Sequence, residues 1–538
     1  MQHPDSRTIL GRRSFLGRAA ATAMGLVAAP ALVGCVNPGR RWPDGEPFSL
    51  GVASGSPSAD GFVLWTRLAP VPLSADPAAP GGMTGPAVPV AYEIAADPAM
   101  RQIERRGTAV AEPAFAYSVH AEIAGLAPGR PYWYRFTSGD AASRVGRAMT
   151  LPAPGGGVDR LRLAVASCAN YEQGYFAAYR HMADEAPDLA VFLGDYIYEY
   201  VDKRSGATVR RHSDGVETAT LPTYRNRYAQ YRLDPDLQRL HAEVPALVTW
   251  DDHEVQNDYA DRWSQTFDDP TRFLQRRAAA YQAYYEHMPL RPSRSLPAGP
   301  TMRLYDRFSF GPLAELTLLD GRQYRSRQAC YRKPDKGGGH LENDATCAER
   351  RDPARTMLGR AQEDWLYDGL AASRARWNVI AQDVMMARLI QRGADGMLGQ
   401  WTDSWGGYPA NRDRLLRHIR DTRVANPVVL SGDIHSYWAN DLKQNFDDPR
   451  GATVATEFIA TSISALPPPY DAFVELLPLN PHVRYFESRL RGYMTVDIAA
   501  KRMTTRFRAI SDPKDPKAPI STLKSFVVED GRPGAVPA

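Results

Sequence analysis

The pattern of apolar and polar positions changes character along the chain. From about Phe48 to Thr150, short alternating segments are separated by Pro, Gly and Asp clusters; they include Gly61 to Thr66, Val90 to Ile94, Tyr117 to Ile123 and the aromatic run Tyr132-Trp133-Tyr134-Arg135-Phe136. Alternation of this kind marks half-buried antiparallel strands, and it predicts an all-β sandwich of the fibronectin/immunoglobulin type over residues 44–150. The Pro- and Gly-rich stretch Leu151 to Gly157 reads as a linker.

Beyond it the period switches. Continuous apolar runs (161–166, 191–193, 246–250, 377–381, 427–431) alternate with helical patterns over 171–185, 271–287 and 362–374. Strand–helix alternation predicts an α/β core over 158–510, a largely parallel sheet with helices on both faces. Residues 492–498 and 504–510 read as antiparallel additions. Residues 511–538 read as a polar C-terminal extension with one strand-like run, Phe526-Val527-Val528.

Four of the apolar runs hand over to chemistry at their carboxyl ends, where parallel sheets place their ligands. Leu161–Ala166 leads to Ser167-Cys168-Ala169-Asn170, and Val191-Phe192-Leu193 to Gly194-Asp195-Tyr196-Ile197-Tyr198-Glu199. Ala246–Trp250 leads to Asp251-Asp252-His253-Glu254, and Pro427–Ser431 to Gly432-Asp433-Ile434-His435. Converging carboxylates repel unless cations neutralise them, so a metal site explains the set better than a bare acid–base pair. A cysteinate at Cys168 and a tyrosinate at Tyr198 need a strongly Lewis-acidic ion, which points to ferric iron; all-oxygen ligands beside it suit calcium, magnesium or manganese.

Composition excludes little. A net charge of +4 over 538 residues, with no basic run interleaved with aromatics, gives no nucleic-acid recognition motif. Residues 1–35 read as an export signal: Arg12-Arg13-Ser14-Phe15-Leu16 precedes an apolar run from Ala19 to Val33, too short to span a membrane, in a pattern that resembles a twin-arginine signal. The segment ends in Leu32-Val33-Gly34-Cys35, which reads either as a lipobox with Cys35 lipidated or as a bystander to cleavage near Ala29-Pro30-Ala31. Cys330 and Cys347 bracket a polar, Gly-rich excursion, and in an oxidising compartment a disulfide there is expected, leaving Cys168 unpaired.

The ordered blocks Gly194-Asp195-x-x-Tyr198, Asp252-His253-Glu254 and Gly432-Asp433-x-His435 resemble the metallophosphoesterase superfamily. Together with Ala166-Ser167-Cys168 and Leu319-Asp320-Gly321-Arg322-Gln323-Tyr324-Arg325 they resemble its alkaline phosphatase D (PhoD-type) family over nearly the whole chain. The resemblance implies Fe3+ bound by Cys168, Asp195 and Tyr198, with Asp195 bridging to one or two Ca2+. It assigns Asp251 or Asp252 to the second ion, with Asp433 and His435 completing the ligands. It implies His253 near the phosphoryl group, and Asn170 and Arg322 as phosphate contacts, the alternative for Arg322 being a structural ion pair with Asp320 or a helix carboxylate. It implies a hydrolase that releases phosphate from small-molecule or polymeric phosphoesters through metal-activated water, exported by the twin-arginine machinery to the periplasm or beyond, and monomeric.

Three departures stand out. Ser167-Cys168 replaces the superfamily's opening Asp-x-His, Asp252 replaces an Asn before His253, and Ala465-Leu466-Pro467-Pro468-Pro469 stands where PhoD-type chains run into glycines. Diesters such as lipid head groups or wall polymers are the alternative substrate class, and a calcium-dependent surface binding protein is the alternative of another kind.

Overall fold

A computed structural model describes residues 41–42, 45–203, 208–266, 269–331 and 338–538. The export signal and Cys35 lie outside the described residues. At the centre are two large sheets packed face to face. One runs, in spatial order, Arg532–Pro537, Ile520–Glu529, Arg502–Ile510, Arg491–Ala499, Arg160–Ala166, Leu189–Leu193, Ala246–Thr249, Val52–Ser58, Gly61–Arg67, Ser118–Ile123. The other runs Asp306–Ser309, Ala314–Leu318, Trp377–Ala381, Pro427–Ser431, Thr453–Ile459, Tyr437–Lys443, Val483–Glu487.

Each sheet has a parallel centre. In the first, Leu189–Leu193 lies parallel to both Arg160–Ala166 and Ala246–Thr249; in the second, Ala314–Leu318, Trp377–Ala381, Pro427–Ser431 and Thr453–Ile459 run parallel in sequence. Leu163, Val165, Val191 and Leu193 meet Leu316, Val379, Val428 and Leu430 in one core between the sheets. The outer face of the first sheet is covered by Ala177–Asp184, Leu221–Arg232, Pro235–Glu243 and Pro270–His287, that of the second by Arg360–Ala372 and Pro409–Asp421. Helices thus cover both faces, but of a two-sheet sandwich where a single sheet was expected. A strand buried on both sides shows the same unbroken apolar run whether its second cover is a helix or another sheet.

Two other expectations change. Val52–Ser58 pairs parallel with Ala246–Thr249 through Gly55, so the N-terminal strands Val52–Ser58, Gly61–Arg67 and Ser118–Ile123 continue the first sheet instead of forming a detached one. A separate sheet, Ile103–Ala111, Val88–Ala95, Pro131–Ser138 and Gly146–Met149, completes the β-rich N-terminal part. The C-terminal residues are no extension: Ile520–Glu529 and Arg532–Pro537 are edge strands of the first sheet. Only Phe526, Val527 and Val528 of Ile520–Glu529 are buried, which is why the sequence betrayed only those three. The Cys330–Cys347 disulfide is present, with the Cα atoms 5.9 Å apart.

Candidate active site

The carboxyl edges of the two parallel centres converge, and the chemistry read from the sequence converges with them. From the first sheet come Cys168, Asp195 and Asp251-Asp252-His253; from the second come Arg322, Asp383 and Asp433–His435. The bridge Ser167↔Ser462 ties the two edges together beside the site. Gly194 has φ +92°, and a Cβ there would lie 2.4 Å from the backbone nitrogen of Asp251, so only glycine lets these neighbouring strand ends approach so closely.

Cys168, Asp195, Asp433 and His435 all have positive φ, between 52° and 66°. For residues with a Cβ this conformation costs about 1–3 kcal/mol each, and its concentration on four side chains of one site marks a backbone bent to aim them. Backbone bonds hold the bend: Cys168 N donates to Gly194 O (3.2 Å) and Ala169 N to Asp195 O (2.9 Å). The Glu254 carboxylate accepts from Asp195 N (3.1 Å), Tyr196 N (2.5 Å) and Asp251 N (2.8 Å), bracing both strand ends.

Three groups of side chains bring ligand atoms within 4.8 Å of one another: Cys168, Asp195 and His435; Asp195, Asp252 and His253; Asp251, Asp252 and Asp433. They form a chain, with Asp195 common to the first pair and Asp252 to the second. Tyr198 joins the first group, its phenol donating to Asp195 Oδ2 (2.8 Å) and lying 3.0 Å from His435 Nε2. His435 Nδ1 donates to the Leu466 carbonyl (2.8 Å), which leaves the Nε2 lone pair directed at the site, as a metal-ligating histidine requires. Arg491 holds this corner from behind, donating to the His435 and Ala465 carbonyls (3.0 and 2.8 Å).

The donors fit bound cations. Asp251 Oδ2 is a buried carboxylate oxygen without a hydrogen-bond partner and Asp252 Oδ1 has only Arg322 Nη2 at 3.5 Å, an under-neutralised state that a further cation would relieve. Burial, with Asp195 adding to it, pushes both the Cys168 thiol and the Tyr198 phenol well above their ordinary range. Burial likewise raises Asp251 and Asp433, opposed only in part by Arg322. Burial also works against Asp252, yet Arg322 and His253 outweigh it and hold that carboxyl below its usual range.

His253 is placed differently. Its Nδ1 faces Glu199 Oε2 at 2.6 Å and its ring packs on Tyr198 with centroids 4.3 Å apart. Burial would lower its pKa, but Glu199, Asp252 and Asp195 overcome that and raise it well above the ordinary value. With Tyr198, Tyr200, Lys203, Asn257 and His435 it lines a cavity of ≈ 800 Å³ open to solvent.

Asn170 and Arg322 do not line that cavity. Asn170 is 1% exposed and both ends of its amide are engaged, Nδ2 with Tyr200 Oη (3.0 Å) and Oδ1 with Glu172 N (3.0 Å). Arg322 is fully buried, donating to Asp251 Oδ1 (2.5 Å) and Asp403 Oδ2 (2.7 Å), with Asp252 and Asp383 each at 3.5 Å. The ion-pair alternative therefore describes it, with partners other than Asp320, whose carboxylate instead accepts the Arg322 and Gln323 backbone N–H groups and sets the turn. Sequence reasoning missed Glu199, Asp383 and Asp403. Glu199 and Asp383 each sat beside a strand end whose pattern was visible; Asp403 follows a two-stranded hairpin with no periodic signal.

Residues 163–507 match the family described as PhoD-like phosphatase, and residues 34–152 match PhoD-like phosphatase, N-terminal domain. The chain is 43% identical over 534 residues to alkaline phosphatase D of Bacillus subtilis (strain 168), covering 97% of this chain and 88% of that one. It superimposes with TM-score 0.85 on the solved structure of PhoD, covering 93% of each chain at 43% identity. The two-sheet core, the ordered strand-end blocks and these likenesses agree: the chain belongs to the PhoD-like phosphatase family and is a phosphoester hydrolase.

Proposed function

We propose an exported, metal-dependent phosphatase that releases inorganic phosphate from phosphomonoesters and also accepts phosphodiesters. Cys168, Asp195, Tyr198 and His435 would hold iron, and Asp195, Asp251, Asp252 and Asp433 one or two calcium ions. The observation that carries this reading is the chain of three overlapping ligand groups, sulfur-, phenol- and imidazole-bearing at one end and all carboxylate at the other. A surface calcium-binding protein would have no use for the thiol and the phenol. Export rests on residues 12–35 and on the family likeness; among the described residues no helix is long and apolar enough to cross a membrane.

When bound, the ions balance the carboxylates and supply the Lewis acidity that makes water nucleophilic at neutral pH. The chain's own residues do the rest. His253, on the cavity wall, delivers a proton to the departing alkoxide, and Glu199 fixes its ring and favours its protonated form. Arg322, reaching over from the second sheet, balances the charge of Asp251 and Asp252 on the first so that they keep their spacing. Asn170 orients Tyr200, which packs edge-on against His253.

Elemental analysis of protein purified without chelator tests the reading, alongside phosphate release from p-nitrophenyl phosphate. One iron with one or two calcium ions per chain is expected, with activity lost on chelation and regained on adding both metals. Two zinc or manganese ions without iron would overturn the ligand roles; calcium alone without phosphate release would overturn the function.

A further inference from the structure

A second cavity, ≈ 650 Å³, stands beside the catalytic one. Gln256, which lines it, precedes Asn257 of the catalytic cavity, and an ion pair of 2.8 Å joins Glu217 on the catalytic wall to Arg276 on the other. Thr220, Gln256, Arg272, Gln275 and Arg276 give the second cavity a wall of donors, and among the described residues lining it none is acidic. Both arginines lie on Pro270–His287, Arg272 in its first turn and Arg276 one turn further, and that first turn holds no acidic residue. Its cap, Asp269, accepts from Thr271 N (2.9 Å). The positive end of a helix dipole repels cations and attracts anions, so an anion held by the two arginines would relieve a repulsion that the helix builds in. Thr220, the N-cap of Leu221–Arg232, brings the positive end of another helix to the same cavity.

Neither guanidinium is fully used. Arg272 is exposed and has no ion-pair or hydrogen-bond partner among the described residues. Arg276 donates from Nε to Tyr224 Oη (2.9 Å) and pairs with Glu217, whereas its Nη2 is buried without a hydrogen-bond partner. Glu217 is a partner that can be displaced, because its side chain is 52% exposed and a pair with one end in water is weak.

We infer that this cavity is a second binding site for inorganic phosphate, the product of the reaction, with Arg272 and Arg276 as its cations and Thr220, Gln256 and Gln275 as its neutral donors. Guanidinium forks match phosphate oxygens, and amide and hydroxyl donors complete the shell. Phosphate bound there competes with Glu217 for Arg276. The released carboxylate stands on the wall of the catalytic cavity and repels the incoming phosphoester, so the product restrains turnover from a site of its own. By linkage, substrate and the second phosphate weaken each other's binding. The site stands on its own observations; the restraint rests on the phosphoester hydrolysis proposed above.

Equilibrium dialysis with radiolabelled inorganic phosphate, on the metal-loaded full chain, on the same chain after chelation and on Arg272→Gln, tests the site. Two phosphates per chain are expected with the metals bound and one after chelation, since no residue of this cavity belongs to the ligand groups. Arg272→Gln should weaken that one by about tenfold or more, as the loss of a charge-assisted hydrogen bond does, with turnover at low phosphate unchanged. Inhibition of p-nitrophenyl phosphate hydrolysis by phosphate should curve upward with phosphate concentration in the wild type and become linear in Arg272→Gln; linear inhibition in the wild type would overturn the restraint. No phosphate on the chelated chain, or one that neither Arg272→Gln nor Gln275→Ala weakens, would overturn the site. A single phosphate on the metal-loaded chain that Arg272→Gln removes would keep the site and count against the proposed catalytic centre; a single phosphate that the variant leaves untouched would keep that centre and overturn the site.

Discussion

The site has two halves that solve the same electrostatic problem in opposite ways. On one side Asp251, Asp252, Asp383 and Asp403 crowd around Arg322, and Asp403 also bonds Arg325; Arg322 and Arg325 are both fully buried. On the other, Cys168, Asp195, Tyr198 and His435 meet with no guanidinium or ammonium among the described residues within ion-pairing distance of Asp195, whose partner in range is His435 Nε2 at 4.0 Å. One half has permanent cations beside the carboxylates that would also bind ions; the other would rely on exchangeable ions alone. A buried pair is costly to break because the surviving charge is stranded, whereas ligands that await an ion are costly to leave bare but cheap to fill. The difference separates what holds the site's shape from what performs its chemistry.

The sharpest way to break the comparison is Asp195→Asn. This carboxylate belongs to two of the three ligand groups, and losing several kcal/mol of electrostatic stabilisation corresponds to about a 10³-fold fall in kcat/KM. The urea midpoint of the metal-free protein should change little, since Asn keeps an acceptor for the Tyr198 phenol. A variant within tenfold of wild type would remove Asp195 from the centre of the site.

Arg322→Met probes the other half and should do the reverse. It leaves four buried carboxylates without their common partner, a loss of about 3–5 kcal/mol in unfolding free energy read from the urea midpoint. Any fall in activity should follow the folded fraction and the retained metal. A raised KM with the midpoint unchanged would return Arg322 to the role of phosphate contact that its family resemblance implied.

How much of this could be read beforehand follows the same division. The ligands at strand ends were legible because a parallel sheet announces where its ligands lie: an apolar run, a glycine, then Asp195, or Gly432 then Asp433. The direction of the Arg322 guanidinium was not, because it depends on carboxylates delivered by both sheets and by the segment after the hairpin. Asp383 closes a run as visible as the others, but in the sequence no glycine or histidine marks it as chemistry. Leu221–Arg232 carries no amphipathic stripe because it buries Arg225, Arg227 and Arg232 together with Tyr224, Tyr228 and Tyr231. Those arginines find partners the sequence cannot show, among them Glu286 for Arg225 and the Tyr200 carbonyl for Arg227. The two-sheet core was hidden by a symmetry of the signal itself, since an apolar strand does not record what covers it.

The smallest of the expected effects tests where the halves join. Glu199 belongs to neither set of ligands, yet it holds His253, and its carboxyl stays below its usual range because His253 outweighs the burial that would raise it. Glu199→Gln keeps a hydrogen-bond partner for Nδ1 and removes the charge that keeps the ring protonated. If His253 protonates the departing group, the variant should lose about 10–100-fold in kcat with alkyl phosphates, whose leaving groups need that proton. It should lose far less with p-nitrophenyl phosphate, whose leaving group departs as a stable anion. An equal loss on both substrates would mean that Glu199 and His253 only position the substrate, and would move the proton donor elsewhere in the cavity.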